Sequence, residues 1–171
     1  RLFYRPILPV SYARDTQKEV ILNFDNKVSL ITGAGSGIGR QLALELAKLG
    51  SIVVISDASE AGVRETAKLI KCEDEDCFSV VDVTDYDEVK NFIEKAASKF
   101  GRIDYLFNNA GIAVAADARD YNISHWRAVV EVNLMGVIHG CDTAYKIMSE
   151  QNSGHIVNIA SLSGLVPFPT N

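Results

Sequence analysis

The sequence predicts an α/β domain built on a doubly wound parallel sheet, and three observations predict it. Short apolar runs of strand type alternate with longer runs of helical periodicity, the pattern of parallel strands joined by covering helices. The first apolar run, Val28 to Ile31, leads into four glycines set two apart, Gly33, Gly35, Gly37 and Gly39, and these open an amphipathic run. Asp, Asn and Ser residues then recur at successive strand ends. Right-handed crossovers place those ends along one edge, where ligands of open α/β sheets bind.

Val28 to Ile31, bounded by Asn26-Lys27 and the glycines, reads as a buried first strand. After the loop Thr32-Gly-Ala-Gly-Ser-Gly-Ile-Gly39, the residues Ile38, Leu42, Leu46 and Leu49 recur at helical spacing. The loop therefore opens a helix whose unpaired N–H groups and positive dipole end suit a phosphate. Glycine is needed there because a side chain would clash at positive φ or hold a diphosphate away from the backbone donors. Gly33, Gly35, Ser36, Gly37, Ile38 and Gly39 are thus candidates to hold a dinucleotide pyrophosphate; a glycine-rich turn without a ligand is the plain alternative. The generic G-x-G-x-x-G spacing fails, since Ile38 and Arg40 fall where it requires glycine, and no Gly-Lys-Ser/Thr follows as in a Walker loop.

Ser51 to Ser56 is the second strand, ended by Asp57, and a helix follows over Glu60 to Lys71. A carboxylate at Asp57 accepts hydrogen bonds from the adenosine ribose hydroxyls and repels a 2′-phosphate. Neither Ser36 nor Ala58 offers a compensating cation, so NAD is expected rather than NADP. Asp57 reads equally as a helix N-cap. Phe78 to Val83 is the third strand, where Asp82, beside Val83, either meets an adenine edge or caps the helix beginning near Asp85. In that helix Val89, Phe92, Ile93, Ala96 and Phe100 form an apolar stripe closed by Gly101.

Ile103 to Phe107 is the fourth strand, ending in Asn108-Asn109-Ala110-Gly111. Adjacent amides with a small residue and a glycine suit backbone approaching a ligand and polar groups bridging neighbouring strands, or a plain Asn-rich turn. One long helix is expected over Ser124 to Ser149, with Trp126, Val129, Val130, Val137, Cys141 and Ala144 on the core face. Asn133 falls on that face; a buried amide must be hydrogen-bonded or costs about 1 to 3 kcal/mol, so it has partners, structural or otherwise. Gly154 to Ala160 is the fifth strand, ending in Ser161-Leu-Ser-Gly164, whose serines suit a turn or the ligand edge.

The 171 residues suit one domain from about residue 25 onward, and 47% apolar content with 23% charge is ordinary for a globular chain. A net charge of -5 without a Lys/Arg cluster argues against nucleic acid. No apolar stretch is long enough to span a bilayer. Cys72, Cys77 and Cys141, an odd set without metal-ligand spacing, suggest reduced thiols in a cytoplasmic protein, although Cys72 and Cys77 could meet across the acidic turn between them. His125, His139 and His155 lie apart, and no metal is expected. Residues 1–24 read as an extension packing on the domain or a partner, with a trimmed targeting segment as the rival.

Taken in order, Thr32-Gly-x-x-x-Gly37-x-Gly39, Asp57, Asp82, Asn108-Asn-Ala-Gly111, Asn133 and Ser161 resemble the short-chain dehydrogenase/reductase family over residues 24–171. The resemblance implies a Rossmann-like sheet, here C-terminally incomplete, and hydride transfer between NAD(H) and an alcohol or carbonyl substrate. It implies that Ser161 polarises the substrate oxygen, Asn133 holds a water in a proton relay, Asp57 binds the ribose and Asp82 the adenine side. It also implies a homodimer or homotetramer, paired partly through the helix holding Asn133. The family's proton-transferring Tyr-x-x-x-Lys would fall just beyond Asn171, so these residues alone are expected to turn over little. Tyr86 and Lys90 match that spacing but precede Ser161 and open the helix at the adenine end, so they read as solvated helix residues. The rival readings are a non-catalytic NAD-binding or sensor protein and an interaction module with an empty glycine loop. Only Ala113 to Tyr121 hints at the substrate entrance, as modestly apolar, and the substrate is unassigned.

Overall fold

Strand β1 (Val28–Thr32) is buried at all five positions because it lies in the middle of a parallel sheet covered on both faces. The computed structural model describes residues 24–72, 74–114 and 118–165; the extension proposed for 1–24 and the segment after Leu165 lie almost wholly outside them. Strands β2 (Ile52–Asp57), β3 (Phe78–Val80), β4 (Tyr105–Asn108) and β5 (His155–Asn158) complete a five-stranded sheet in the order β3-β2-β1-β4-β5. Every pairing is parallel, from Val28 opposite Ile52 on one side of β1 to Leu30 opposite Leu106 on the other.

Alternation along the strands divides the core in two. Val28, Leu30, Val54 and Leu106 face helices α3 (Tyr86–Phe100) and α5 (Gly136–Gln151), meeting Val89, Phe92, Ile93, Ala144 and Met148. Ile31, Val53, Ile55 and Phe107 face α1 (Gly37–Lys48) and α2 (Glu60–Leu69), meeting Ala43, Leu46, Val63 and Ala67. A buried carboxylate fixes one corner: Asp104 accepts from the Val28 N–H at 3.0 Å and pairs with Lys27 and Arg102. Burial opposes ionisation of that carboxyl, but the Val28 N–H and Arg102 outweigh it and hold its pKa below the ordinary value.

Four expectations need correction. The third strand is three residues long, because β2 runs out at Asp57 opposite Val80 and the chain then turns at Asp82, which accepts from the Thr84 N–H at 2.9 Å. Asp85, not Asp82, caps α3, accepting from the N–H groups of Asp87 and Glu88. Cys72 and Cys77 form a disulfide rather than standing reduced: the acidic turn brings their Cα atoms to 6.3 Å, within bridging range, and Cys141 is the free thiol.

The fourth correction concerns the long helix. It is interrupted: α4 (Ile123–Val130) meets α5 through a π-helical turn at Glu131–Met135. The wider turn breaks the 3.6-residue register, so a stripe extrapolated from Trp126 to Ala144 does not stay on one face. The buried face of α5 is Gly136, Gly140, Thr143, Ala144 and Met148, whereas Trp126, Val130 and Leu134 are about half exposed. Asn133, expected in the core, is exposed.

Candidate functional site

The glycine loop joins β1 to α1 at the C-terminal edge of the sheet, and its four glycines divide by reason. Gly33 (φ 66°) and Gly37 (φ 52°) adopt left-handed backbone that disfavours a side chain. Gly35 and Gly39 are kept small by the protein itself. A Cβ at Gly35 would stand 2.6 Å from Asp57 Cγ, and one at Gly39 would stand 2.5 Å from Asn109 Nδ2 and strike the Gly33 carbonyl. Close approach to a ligand is therefore not what fixes those two. Ser36 precedes α1 in extended conformation without capping it, so the first-turn N–H groups of α1 have no side-chain acceptor among the described residues.

Asp57 holds the loop from the neighbouring strand end. One carboxylate oxygen accepts from the Gly35 N–H at 2.8 Å and the other from the Ser59 N–H at 2.8 Å, while Ser59 itself caps α2. From the other side Asn109 donates through Nδ2 to the carbonyls of Thr32 (3.1 Å) and Gly33 (3.0 Å). The Thr32 hydroxyl oxygen accepts from the N–H groups of Asn109 and Ala110, both at 3.1 Å. Two strand ends distant in sequence are thereby locked around one loop.

Beside this loop lies a cleft of about 420 Å³. Of the residues the sequence singled out for the nucleotide, Gly33, Ser36, Gly37, Ile38, Gly39, Asp57, Asp82, Val83, Asn109, Ala110 and Gly111 line it; Gly35 sits behind, bonded to Asp57. Ala58, Val81, Ile112 and Val132 also line it and were not anticipated. Among the described residues the lining carries two carboxylates, Asp57 and Asp82, and no Lys or Arg.

A model of the family described as short chain dehydrogenase matches residues 27–171. This chain belongs to the short-chain dehydrogenase family. An oxidoreductase of Staphylococcus saprophyticus, its activity uncharacterised, is 38% identical over 146 residues, covering 84% of this chain and 62% of that protein. A short-chain dehydrogenase/reductase from Burkholderia phymatum, solved in complex with NAD, superposes with a TM-score of 0.81 at 36% identity, covering 88% of this chain and 54% of that one. An NAD+-bound xylitol dehydrogenase superposes with a TM-score of 0.79 at 33% identity, covering 86% and 57%. The chain thus spans about three-fifths of the length of the relatives it matches.

In this short-chain dehydrogenase chain the two residues put forward for catalysis stand apart from the cleft lining. Asn133, within the π-helical turn, clasps the backbone of Ile112: its Oδ1 accepts the Ile112 N–H at 2.8 Å and its Nδ2 donates to the Ile112 carbonyl at 2.9 Å. Ile112 and Val132 both line the cleft, so the clasp positions its wall. Ser161, exposed after β5, accepts the Ser163 N–H at 3.1 Å and opens a short 3₁₀ turn, the turn chemistry that its sequence also allowed. Tyr86 lies away from the cleft and donates to Asp142 at 2.9 Å. Among the described residues no three His, Cys, Asp or Glu side chains gather as a metal site, and no helix is long and apolar enough to cross a membrane.

Proposed function

We propose that this chain is the nucleotide-binding part of an oxidoreductase that transfers hydride between NAD(H) and an alcohol or carbonyl substrate. The observation that carries the reading is the cleft itself: a glycine loop feeding an uncapped helix N-terminus, flanked by Asp57 and without a cation among its described lining residues. Uncapped N–H groups at a helix start suit a diphosphate. Asp57, its two oxygens already aligned by Gly35 and Ser59, retains lone pairs for a ribose diol and would repel a 2′-phosphate, which favours NAD over NADP. Asp82 and Val83 supply the wall for the adenine side, and Gly33, Ser36 to Gly39 and Asn109 to Gly111 the floor.

A nicotinamide dinucleotide supplies the hydride donor or acceptor. For the chain's own part, the Ser161 hydroxyl donates a hydrogen bond to the substrate oxygen, and Asn133, through Ile112, sets the wall beside it and holds the water of a proton relay. The exposed apolar side chains of α4 and the π-helical turn, Trp126, Val130 and Leu134, support assembly into a homodimer or homotetramer.

Titration of the purified protein with NAD and NADP, followed by calorimetry, tests the proposal. Saturable NAD binding, tighter than NADP, is expected. Asp57→Ala should weaken NAD by about tenfold to a hundredfold, the loss of charge-assisted hydrogen bonds, and narrow the preference. Absence of NAD binding at millimolar concentration, or tighter binding of NADP, would refute it.

A further inference from the structure

The first four carbonyls of the glycine loop, Thr32 to Gly35, are each held by a side chain. Asn109 takes those of Thr32 and Gly33. The next two are taken by residues to which no binding role has been given. The Thr66 hydroxyl, fully buried on α2, donates to the Ala34 carbonyl at 2.8 Å. The Arg40 guanidinium donates to the Gly35 carbonyl through Nη2 and to Thr66 Oγ1 through Nε at 3.0 Å. Glu65 closes the group, pairing with Arg40 at 2.7 Å, and Gly62 packs so closely that a Cβ there would stand 2.9 Å from the Gly35 carbonyl oxygen.

Resting on the nucleotide reading above, we propose that Arg40 and Thr66 are positioning residues for the dinucleotide: a two-residue clamp that fixes two peptide planes of the loop, so that the Ser36 N–H faces the diphosphate and the Gly35 N–H holds the Asp57 carboxylate in place. In a trans peptide the C=O and the following N–H point in opposite directions. Holding the Gly35 carbonyl against Arg40, on the α2 side, therefore sends the Ser36 N–H the other way. Ser36 lines the cleft, and its N–H has no acceptor among the described residues. A flip of that peptide, which the adjoining glycines permit, would turn a carbonyl oxygen toward the anion instead. Thr66 acts one peptide earlier and on a different group: with the Ala34 carbonyl held, the Gly35 N–H is aimed at Asp57, whose carboxylate it orients toward the ribose side of the cleft. The guanidinium suits the task because it donates in two directions from one rigid plane, which a lysine cannot reproduce.

The test uses three substitutions, Arg40→Met, Thr66→Val and Thr66→Ser, with NAD and ADP-ribose affinities measured by calorimetry and the melting temperature recorded without ligand. Arg40→Met and Thr66→Val should each raise the Kd of both ligands about tenfold, the effect of a lost charge-assisted or buried hydrogen bond. Thr66→Ser, which keeps the hydroxyl, should stay within about twofold of the parent. In an enzyme that turns over, the KM for NAD should rise while kcat at saturating NAD is kept, the mark of lost ground-state binding. A role confined to stability would lower the melting temperature and leave Kd unchanged in the folded fraction, and that result overturns the clamp. So does a loss seen with NAD but not with ADP-ribose, because both carry the diphosphate. If the unsubstituted protein binds neither ligand, the nucleotide reading itself fails.

Discussion

Replacing Thr32 by valine should destabilise the protein by about 2 kcal/mol, although the two side chains have nearly the same shape. Thr32 is the last residue of β1 and only 3% exposed. Its hydroxyl oxygen accepts the N–H groups of both Asn109 and Ala110, each at 3.1 Å. Valine offers neither an acceptor, and a buried unsatisfied donor costs about 1 to 3 kcal/mol. Asn109 and Ala110 are half-buried, so the lower end applies to each, giving about 2 kcal/mol for the pair. Thr32→Ser provides the contrast: it keeps the acceptor and deletes one buried methyl, a loss of about 1 kcal/mol. Urea unfolding followed by circular dichroism reads the difference, since at a slope of about 2 kcal/mol/M the valine variant should lose roughly 1 M in midpoint and the serine variant about half that. A valine midpoint equal to or above the serine midpoint would show that the hydroxyl is not what joins the two strand ends.

Gly39→Ala should abolish NAD binding and lower the melting temperature, because the added Cβ meets the Gly33 carbonyl, which is backbone and cannot step aside; a titration matching the parent would contradict this. Reduction of the Cys72–Cys77 bridge, or its replacement by two serines, should destabilise the chain by at most about 2 kcal/mol, the chain-entropy value for so short a loop, visible in melts with and without reductant. Stability should also fall on acidification. Lys95 and Lys99 hold the Asp76 carboxyl down to about 2, and Asp104 is likewise lowered. Carboxyls depressed in the folded state contribute above their unfolded pKa, and that contribution is lost as pH falls from about 4 toward 2. Urea midpoints at a series of pH values should decline over that window, and less steeply in Asp104→Asn.

The parts of the fold legible in sequence were those governed by local pattern. The apolar runs at Val28 and Ser51 gave their strands to within a residue or so because both are flanked by unmistakable turn chemistry. The stripe from Val89 to Phe100 gave α3, closed by Gly101 at φ 74° as expected. Legibility ended where a distant neighbour decides. The third strand stops when its partner β2 does, a fact of pairing that no periodicity in Phe78 to Val83 carries. The π-helical turn inserts its extra residue without a marker such as Pro, so helical periodicity places Asn133 on the wrong face and carries no sign of its bond to Ile112. Most of the cleft lining could be read from strand ends. Arg40 and Thr66 could not, because their relation to the loop runs through its far side, where Arg40 registered in sequence only as a departure from a glycine spacing.

The bonds from Asn109 to the Thr32 and Gly33 carbonyls span 77 and 76 residues of chain. A chain emerging from the ribosome can pair β1 with β2, and β2 with β3, long before β4 has been made, yet its glycine loop keeps two carbonyls unclaimed until Asn109 arrives. Contacts so distant form late and slowly, after the entropy of closing the intervening loop has been met. Without β4, the first three strands therefore leave the cleft unfinished. A ligand of that cleft would act as a reporter of completed folding and not as a template for it.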